Sequence, residues 1–407
     1  MNAAQPLRIL VMLHMPLDRN FGGSRVQLEL GEVWRSLGHE VEYFDLVRAF
    51  GDKAPRQPQR FARIKALLAP FLRPSFAQQA RQFIRTEGHR FDVIDAHQGN
   101  LPCSKAELNY QGLLVVRSVG MYPLYVAFDH QARPSQITWR GWLVRQILQW
   151  RDPQEIRHCL ASFRHADLIN LPNPAEADYL AQTLGLGEKC RVFPFGLAPE
   201  RRQALATMGA KDFSPLHLES RLQNPQLTFI GTWCVRKGSQ DWRSLLLRLW
   251  AALPDLQVLF LGTRSPETVI LRELALPQPQ NLTIIPDYRS EDLPAFLTDA
   301  TVGAFPSYIE GFGFAILEKL AAGIPTVAYD IPGPQTMLNP VDPSLLTPLG
   351  KPEAMADKLI QLLTLDSESY RALAHRCQAV AAQFCWQQIA QDTLTAYQSA
   401  HSRLPHH

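Results

Sequence analysis

The feature of this sequence that most constrains its fold is an alternation of short apolar strands with amphipathic helices, which occurs twice along 407 residues. The first series contains LRILVML (7–13), FDVIDAH (91–97) and LLVVRSVG (113–120). The second series begins with LTFIGTW (227–233) and continues with LQVLFLGT (256–263). Strands that alternate with helices predict parallel sheets covered by helices on both faces. The length also fits about two to three domains.

We therefore predict an α/β protein built from two doubly wound, Rossmann-like domains that face each other across a cleft. The predicted N-terminal domain covers residues 1–200, and the C-terminal domain covers 201–385. A final helix occupies residues 386–407. The stretch 198–225 is interpreted as a linker region between the two series of strands.

One segment of the second series, TVGAFPSYIEGFGFAILEKLAAGIPTVAYD (301–330), contains a strand, a glycine loop, a helix and another strand. Gly311 and Gly313 allow a tight turn, and the unit predicts a right-handed crossover between parallel strands. A glycine loop at a helix N-terminus presents amide donors that suit a phosphate. Glu310 and Glu318 would repel a phosphate, so they indicate a different partner, such as sugar hydroxyls.

The first strand of each series is followed by another glycine-containing stretch. Gly22 and Gly23 lie between the first strand and a helix, without the Gly-x-Gly-x-x-Gly spacing of a dinucleotide site. Lys237 and Gly238 lie in FIGTWCVRKGSQDW, ahead of the first helix of the second series.

Together, the two α/β series, the Gly-Gly loop, the Lys-Gly pair and the spaced glutamates resemble the retaining nucleotide-sugar glycosyltransferases of the GT-B fold known as family four. The resemblance covers nearly the whole chain. It implies transfer of a hexosyl-type sugar from a nucleoside diphosphate sugar to an acceptor hydroxyl, with retention of configuration. It also implies that the second domain holds the donor, the first holds the acceptor, and the final helix crosses back to the first domain.

The resemblance assigns roles to four charged residues. Glu310 would lie near the donor sugar as a catalytic residue, and Glu318 would accept hydrogen bonds from the ribose hydroxyls. An ionised carboxylate is a strong acceptor for vicinal hydroxyls. Lys237 would neutralise the diphosphate as it leaves, and Arg236 is a candidate for a second cation.

The resemblance also assigns donor contacts to two backbone segments. In the second domain, the amides of Gly311, Phe312 and Gly313 would face the donor sugar and the diphosphate. In the first domain, the loop with Gly22 and Gly23 would lie against the donor phosphates across the cleft.

The chain departs from the family at two positions. Val119, in RSVGMYPLY, stands where the family commonly has a histidine that hydrogen-bonds the donor sugar. Thr232 stands where an arginine usually follows the glycine. These departures leave open a protein that binds a sugar nucleotide without transfer; a sugar-nucleotide epimerase is the other alternative, against which the Lys-Gly loop and the glutamates argue. His97, at the end of FDVIDAH, is either a third candidate catalytic residue directed into the expected cleft or a structural histidine.

The charge distribution indicates which partners the chain could bind. The net charge is only +3, but residues 54–90 are rich in arginine. Such a stretch suits an anionic acceptor or a membrane surface, or it forms a solvated face without a partner. The stretch TWRGWLVRQILQW (138–150) could dock on a bilayer or pack its tryptophans on the protein core. Lipid-linked saccharides, polysaccharides and small molecules all stay open as acceptors, and no nucleic acid is expected as a partner.

The cysteine and acidic residue patterns indicate whether the chain binds a metal and in which redox compartment it occurs. Six cysteines form no Cys-x-x-Cys pair and no cluster with histidine, which predicts neither zinc nor a disulfide framework and fits a reducing compartment. There is no Asp-x-Asp, so we expect no metal requirement and no cofactor besides the donor substrate. No apolar run approaches the roughly 18 residues of a membrane span. We therefore predict a cytoplasmic protein, with peripheral contact at the inner face of the membrane as a further option.

Overall fold

The computed structural model describes residues 5–19, 22–51, 75–132, 139–212, 219, 221–276 and 281–404, and the side chains of residues 139–150 and 208–212 lie outside this description. The chain forms two compact units. The first comprises Met1–Pro194 and Gln387–His407, and the second comprises Phe195–Trp386. Each unit contains one parallel sheet with helices between its strands, so the predicted two-domain α/β architecture is confirmed.

The first unit has a six-stranded parallel sheet in the order β2-β1-β3-β4-β5-β6. Its strands are β1 (Arg8–Met12), β2 (Glu40–Phe44), β3 (Val93–His97), β4 (Leu113–Arg117), β5 (Leu168–Leu171) and β6 (Cys190–Val192). Its helices are α1 (Gly22–Ser36), α2 (Leu46–Phe50), α3 (Phe76–Glu87), α4 (Lys105–Leu108), α5 (Tyr122–Gln131), α6 (Trp139–His165) and α7 (Pro174–Leu184). Strands β3 and β4 are buried at every residue, as expected for a parallel sheet covered on both faces.

The second unit repeats this plan with the order β12-β11-β10-β7-β8-β9. Its strands are β7 (Gln226–Ile230), β8 (Gln257–Leu261), β9 (Leu282–Ile285), β10 (Val302–Phe305), β11 (Thr326–Tyr329) and β12 (Leu346–Thr347). Its helices are α8 (Pro199–Asp212), α9 (Trp242–Ala252), α10 (Glu267–Leu274), α11 (Leu293–Leu297), α12 (Phe314–Ala321), α13 (Pro332–Val341), α14 (Pro352–Leu363) and α15 (Ser367–Ala381).

Each sheet has one point at which the strand order reverses. In the first unit, β2 lies on one side of β1 and β3 lies on the other; in the second unit, β8 and β10 flank β7 in the same way. The loops that follow the two strands at such a point lead to opposite faces of the sheet and leave a crevice at the carboxyl ends. The fold therefore singles out the loops after β1 and β3, and those after β7 and β10, as candidate binding regions.

The last helix, α16 (Trp386–His401), is attached to the first sheet by a buried polar network. Tyr397 donates its hydroxyl hydrogen to Asp95 at 2.6 Å and accepts from Arg117 at 2.9 Å and from Asn170 at 2.7 Å. Arg117 also donates to Asp95 at 2.7 Å. Because these groups belong to α16, β3, β4 and β5, they join the C-terminal residues to the centre of the first unit.

The interpretation of residues 198–225 as a linker is wrong, because residues 199–212 form helix α8. Pro199 occupies the first helical position, where its missing N–H costs nothing, and Glu200 places a negative charge in the first turn. The linker prediction rested on the position of this segment between the two series of strands, and it overlooked these local helix-start signals. Helix α8 carries Arg201, a residue of the candidate site.

Two regions considered for membrane contact fall largely or wholly outside the description. Of the predicted helix at 138–150, residues 139–150 are part of the longer α6, but the side chains on which docking would depend are among those not described. Most of the arginine-rich stretch 54–90 is likewise outside the described residues. Among the helices of the described part, none combines the length and the apolar character needed to span a bilayer.

Candidate functional site

The loops after β7 and β10 meet at the point of strand reversal in the second unit. Lys237 follows β7 and Glu310 follows β10, and their side chains form a direct ion pair. Only about a fifth of each side chain is exposed, at 20% and 18%. The ammonium also lies 5.1 Å from the centre of the Phe305 ring, whose face attracts a cation. Lys237 and Glu310, which are 73 positions apart in the sequence, are thus adjacent at the expected crevice.

The position of Lys237 is fixed by close packing between the two loops. Gly238 has a φ of +78°, and a Cβ atom there would lie 2.2 Å from the carbonyl oxygen of Pro306. A side chain at this position would therefore force the loops apart. The amide of Tyr308 donates to the carbonyl of Arg236 at 2.9 Å and joins the same segments. The Lys-Gly pair is explained by this contact, since the glycine brings the lysine against the end of β10.

The glycine loop precedes α12 as predicted. Gly313 caps the helix with a φ of +102°, a conformation that favours glycine. The Phe312 side chain is only 2% exposed and lies 5.2 Å, between ring centres, from Phe195. Its ring is therefore part of the core. A Cβ atom at Gly333 would lie 2.8 Å from the carbonyl oxygens of Glu310 and Phe312, so α13 packs directly against the loop.

Glu318 lies on α12, one turn beyond the glycine loop, and is 5% exposed. Its Oε1 accepts a hydrogen bond of 2.8 Å from Nε of Arg201, a residue of α8. Arg201 also donates from Nη1 to the carbonyl oxygen of Ser290. Sequence reasoning missed Arg201 because it assigned this segment to a linker. The helix-start pattern of Pro199 and Glu200 could have indicated a structured segment, but the pairing with Glu318 spans 117 positions and left no local signal.

Lys319 is next to Glu318 in sequence but does not belong to the same surface. It is fully buried, and its Nζ lies 3.2 Å from the carbonyl oxygen of Ala304 and close to Gly303. Burial lowers the pKa of Lys319 to about 7, with partial compensation from the neighbouring Glu318 charge. This lysine points into the sheet and is not a second cation for a ligand at the glycine loop.

In the first unit, His97 ends β3 at the point of strand reversal, and its ring centre lies 5.1 Å from that of His14, which follows β1. The ring of His97 contacts the carbonyl oxygen of Gln98 through Nδ1 at 3.2 Å. Its Nε2 is buried and has no hydrogen-bond partner in the described part of the chain. Burial, with the nearby His14, lowers the pKa of His97 to about 3, so the imidazole is neutral at physiological pH.

Gly22 and Gly23 form the first turn of α1 beside the loop that contains Val119. A Cβ atom at Gly23 would lie 3.0 Å from the sulfur of Met15 and 3.5 Å from Cγ2 of Val119. The structure therefore places Gly23, but not Gly22, close to the Val119 side chain.

The loop with Val119 is anchored by hydrogen bonds to Glu176, a buried residue of α7. Its carboxylate accepts from the hydroxyl of Ser118 at 2.7 Å and from the amide of Met121 at 3.1 Å. Burial raises the pKa of Glu176 to about 7, although these hydrogen bonds oppose the shift. Glu176 thus fixes both ends of the Val119 loop through contacts that span 55 or more positions and leave no local signal in the sequence.

Comparison with known proteins identifies the family. Residues 22–201 match the family described as Glycosyltransferase Family 4, and residues 224–365 match the one described as Glycosyl transferases group 1. The two matches follow in chain order and coincide with the first and second series of strands. The chain belongs to the group 1 glycosyltransferases. The family resemblance inferred from the motifs is therefore confirmed.

Individual members show how distant the known relatives are. D-Inositol 3-phosphate glycosyltransferase from Salinispora tropica is 26% identical over 323 residues, or 70% of this chain and 65% of the relative. The chain thus spans less than two thirds of that relative's length. Sucrose-phosphate synthase from Thermosynechococcus elongatus superposes with a TM-score of 0.71 at 19% identity, over 97% of this chain and 99% of that one. HepE from Anabaena, solved with UDP and glucose, gives 0.63 at 16% identity, over 97% and 100% of the two chains. These structures establish the GT-B fold.

We also searched the described residues for side chains that could bind a metal ion together. No set of three or more histidine, cysteine, aspartate or glutamate side chains in that part of the chain has an arrangement that could hold an ion. The groups that surround the glycine loop are instead a lysine, two glutamates and an arginine, together with backbone amides.

Proposed function

We propose that this chain is a glycosyltransferase that moves a sugar from a nucleoside diphosphate sugar to an acceptor hydroxyl with retention of configuration. The observation that carries the proposal is the contact of Lys237 with Glu310 beside the glycine loop, at the point where the second sheet reverses its strand order. A donor of this kind needs a cation for the diphosphate and an acceptor group for sugar hydroxyls within a few ångströms. The ion pair supplies both.

Donor binding is expected to separate the ion pair. The ammonium of Lys237 then faces the diphosphate, and the carboxylate of Glu310 faces the hydroxyls of the sugar. Arg236 and the amides of Gly311, Phe312 and Gly313 add positive charge and hydrogen-bond donors at the same loops. These groups favour the transition state because negative charge grows on the departing diphosphate, while the donors are already in place.

In the proposed reaction, the acceptor oxygen forms a bond to the anomeric carbon as the bond from that carbon to the diphosphate breaks. Both events occur on one face of the sugar, which retains its configuration. The proton of the acceptor hydroxyl passes to the departing phosphate oxygen. The protein contributes orientation and charge stabilisation, so the reaction is expected to proceed without a metal ion.

The remaining site residues have proposed roles in their own units. Glu318 accepts hydrogen bonds from the ribose hydroxyls in the second unit. In the first unit, His97 is proposed to act close to the substrate, and the first turn of α1 at Gly22 and Gly23 offers backbone amides to an anion.

The direct test is a turnover assay over a panel of UDP-, GDP- and ADP-sugars in the presence of a chelator. UDP-glucose is a reasonable first donor because a structural neighbour was solved with UDP and glucose. Acceptors should include an inositol phosphate, in view of the related inositol phosphate enzyme, and lipid-linked and polysaccharide acceptors. We expect release of nucleoside diphosphate from one donor class, with a product of unchanged anomeric configuration by NMR.

Other outcomes separate the alternatives. Tight binding of a sugar nucleotide with no turnover on any acceptor would indicate a protein that binds without transfer, as the departures at Val119 and Thr232 suggest. Conversion of the sugar while it stays attached to the nucleotide would indicate an epimerase. Turnover that stops with the chelator and returns with a divalent ion would contradict the metal-independent mechanism.

A further inference from the structure

Arg201 connects two parts of the second unit that no local sequence pattern links. Its Nε donates to Oε1 of Glu318 on α12, and its Nη1 donates to the carbonyl oxygen of Ser290 after β9. The side chain itself is 12% exposed and the Glu318 side chain 5%. Helix α8, which carries Arg201, packs against both α12 and α11. Arg201 is therefore held from its backbone as well as from its guanidinium.

The pairing matters because a carboxylate with so little exposure is costly without a partner. Charge-assisted hydrogen bonds from arginine are short and directional, and the planar guanidinium can hold two acceptors in a fixed geometry. Here the two acceptors are the Glu318 carboxylate and a backbone carbonyl. The carbonyl cannot rotate independently of the chain, so it fixes the plane of the guanidinium, which in turn fixes the orientation of the carboxylate.

We propose that Arg201 is a positioning residue for ribose recognition: it orients the Glu318 carboxylate so that the carboxylate accepts hydrogen bonds from the vicinal hydroxyls of the donor's ribose. This inference rests on the proposed function, in which Glu318 binds the ribose. Arg201 does not itself contact the reacting atoms. Its contribution is to restrict the rotamers of Glu318 before the donor arrives, which reduces the entropy lost on binding.

The geometry separates this role from a purely structural one. A structural arginine would contribute to stability and would affect all ligands equally. A positioning arginine acts through Glu318, so its removal should weaken binding of a ribonucleotide more than that of the 2′-deoxyribonucleotide, which lacks one of the two hydroxyls. The effect should also disappear when the carboxylate charge has already been removed.

The test is a double-mutant cycle with Arg201→Met, Glu318→Gln and the double variant, measured by calorimetry with UDP and 2′-deoxy-UDP on the full chain. If another nucleotide is released in the donor panel, its diphosphate and 2′-deoxy form replace these probes. We expect Arg201→Met to weaken binding of the ribonucleotide by about tenfold, the scale of a hydrogen bond to a charged group. The loss should be smaller for the 2′-deoxy form, and Arg201→Met should add little in the Glu318→Gln background.

Arg202→Met is the matched control, because Arg202 lies on the same helix as Arg201. In the described part of the chain its side chain donates a hydrogen bond of 3.4 Å to the carbonyl oxygen of Ala382. It should leave both affinities unchanged. Arg201→Lys keeps the charge without the planar fork, and serves if Arg201→Met does not fold. We expect it to restore stability but to recover only part of the preference for ribose.

The outcomes distinguish this inference from the proposal on which it rests. Unchanged nucleotide affinity in Glu318→Gln would remove the ribose from Glu318 and overturn the proposed donor site. A clear loss in Glu318→Gln, with none in Arg201→Met or with fully additive losses in the double variant, would leave the donor site standing and overturn the role of Arg201. Equal losses for the ribose and 2′-deoxyribose forms in Arg201→Met would do the same.

Discussion

Replacing Lys237 by alanine is expected to lower the rate of donor turnover by about 100-fold or more, the scale seen when one charge-stabilising group is removed. The variant loses the ammonium that faces the diphosphate as negative charge develops there. Glu310 also loses its partner and remains as an unneutralised carboxylate beside an anionic substrate. Initial rates of nucleoside diphosphate release, measured at saturating donor, report the change in kcat.

Arg248→Ala is the control for loss of one positive charge from the same unit. Arg248 lies on α9, is 49% exposed and pairs with Asp357 at the surface. This variant should retain the wild-type rate. If Lys237→Ala also retained it, another cation would carry the diphosphate charge, and Arg236 would be the first residue to test.

Replacing Arg117 by methionine is expected to reduce the free energy of unfolding by about 3–5 kcal/mol, as is typical when one partner of a buried ion pair is removed. Arg117 is 1% exposed and Asp95 is completely buried, so the Asp95 carboxylate would be left buried without its arginine partner. Tyr397 would lose a hydrogen bond in the same step, which loosens α16 from the sheet. Chemical denaturation followed by circular dichroism measures the loss.

Arg8→Met provides the comparison within the same unit. Arg8 pairs with Asp92 at 2.9 Å, but its side chain is 47% exposed, and exposed pairs contribute about 0–1 kcal/mol. We therefore expect a small change for this variant. Similar losses for Arg8→Met and Arg117→Met would show that burial of the Asp95–Arg117–Tyr397 network does not determine the stability of the first unit.

The parts of the fold that could be predicted are those with strong local signals. The strands stand out because parallel strands buried on both faces are continuous apolar runs, as β4 and β10 show. The unit at 301–330 could be interpreted in detail because two glycines, a proline and a helical spacing agree. Glu310 follows β10 and Glu318 lies on α12 for that reason, whereas their roles in binding stay predictions.

The parts that could not be predicted depend on contacts between distant residues. The sequence does not show that Lys237 and Glu310 pair, because the contact arises from the order of strands in the sheet. The role of Arg201 leaves no local signal, because its partner Glu318 lies 117 positions away on another helix. Glu176 anchors the loop with Val119, and Tyr397 anchors α16. Both residues are buried and have hydrogen-bond partners more than 50 positions away.

The measurement that tests the central claim most directly is a crystal structure of the chain with the nucleoside diphosphate released in the donor assay. We predict that the diphosphate lies within hydrogen-bond distance of Lys237 and of the amides of the 311–313 loop, with the ribose hydroxyls on Glu318. The ion pair between Lys237 and Glu310 should then be open. A nucleotide bound at any other place, with that pair intact, would contradict the assignment of the donor site.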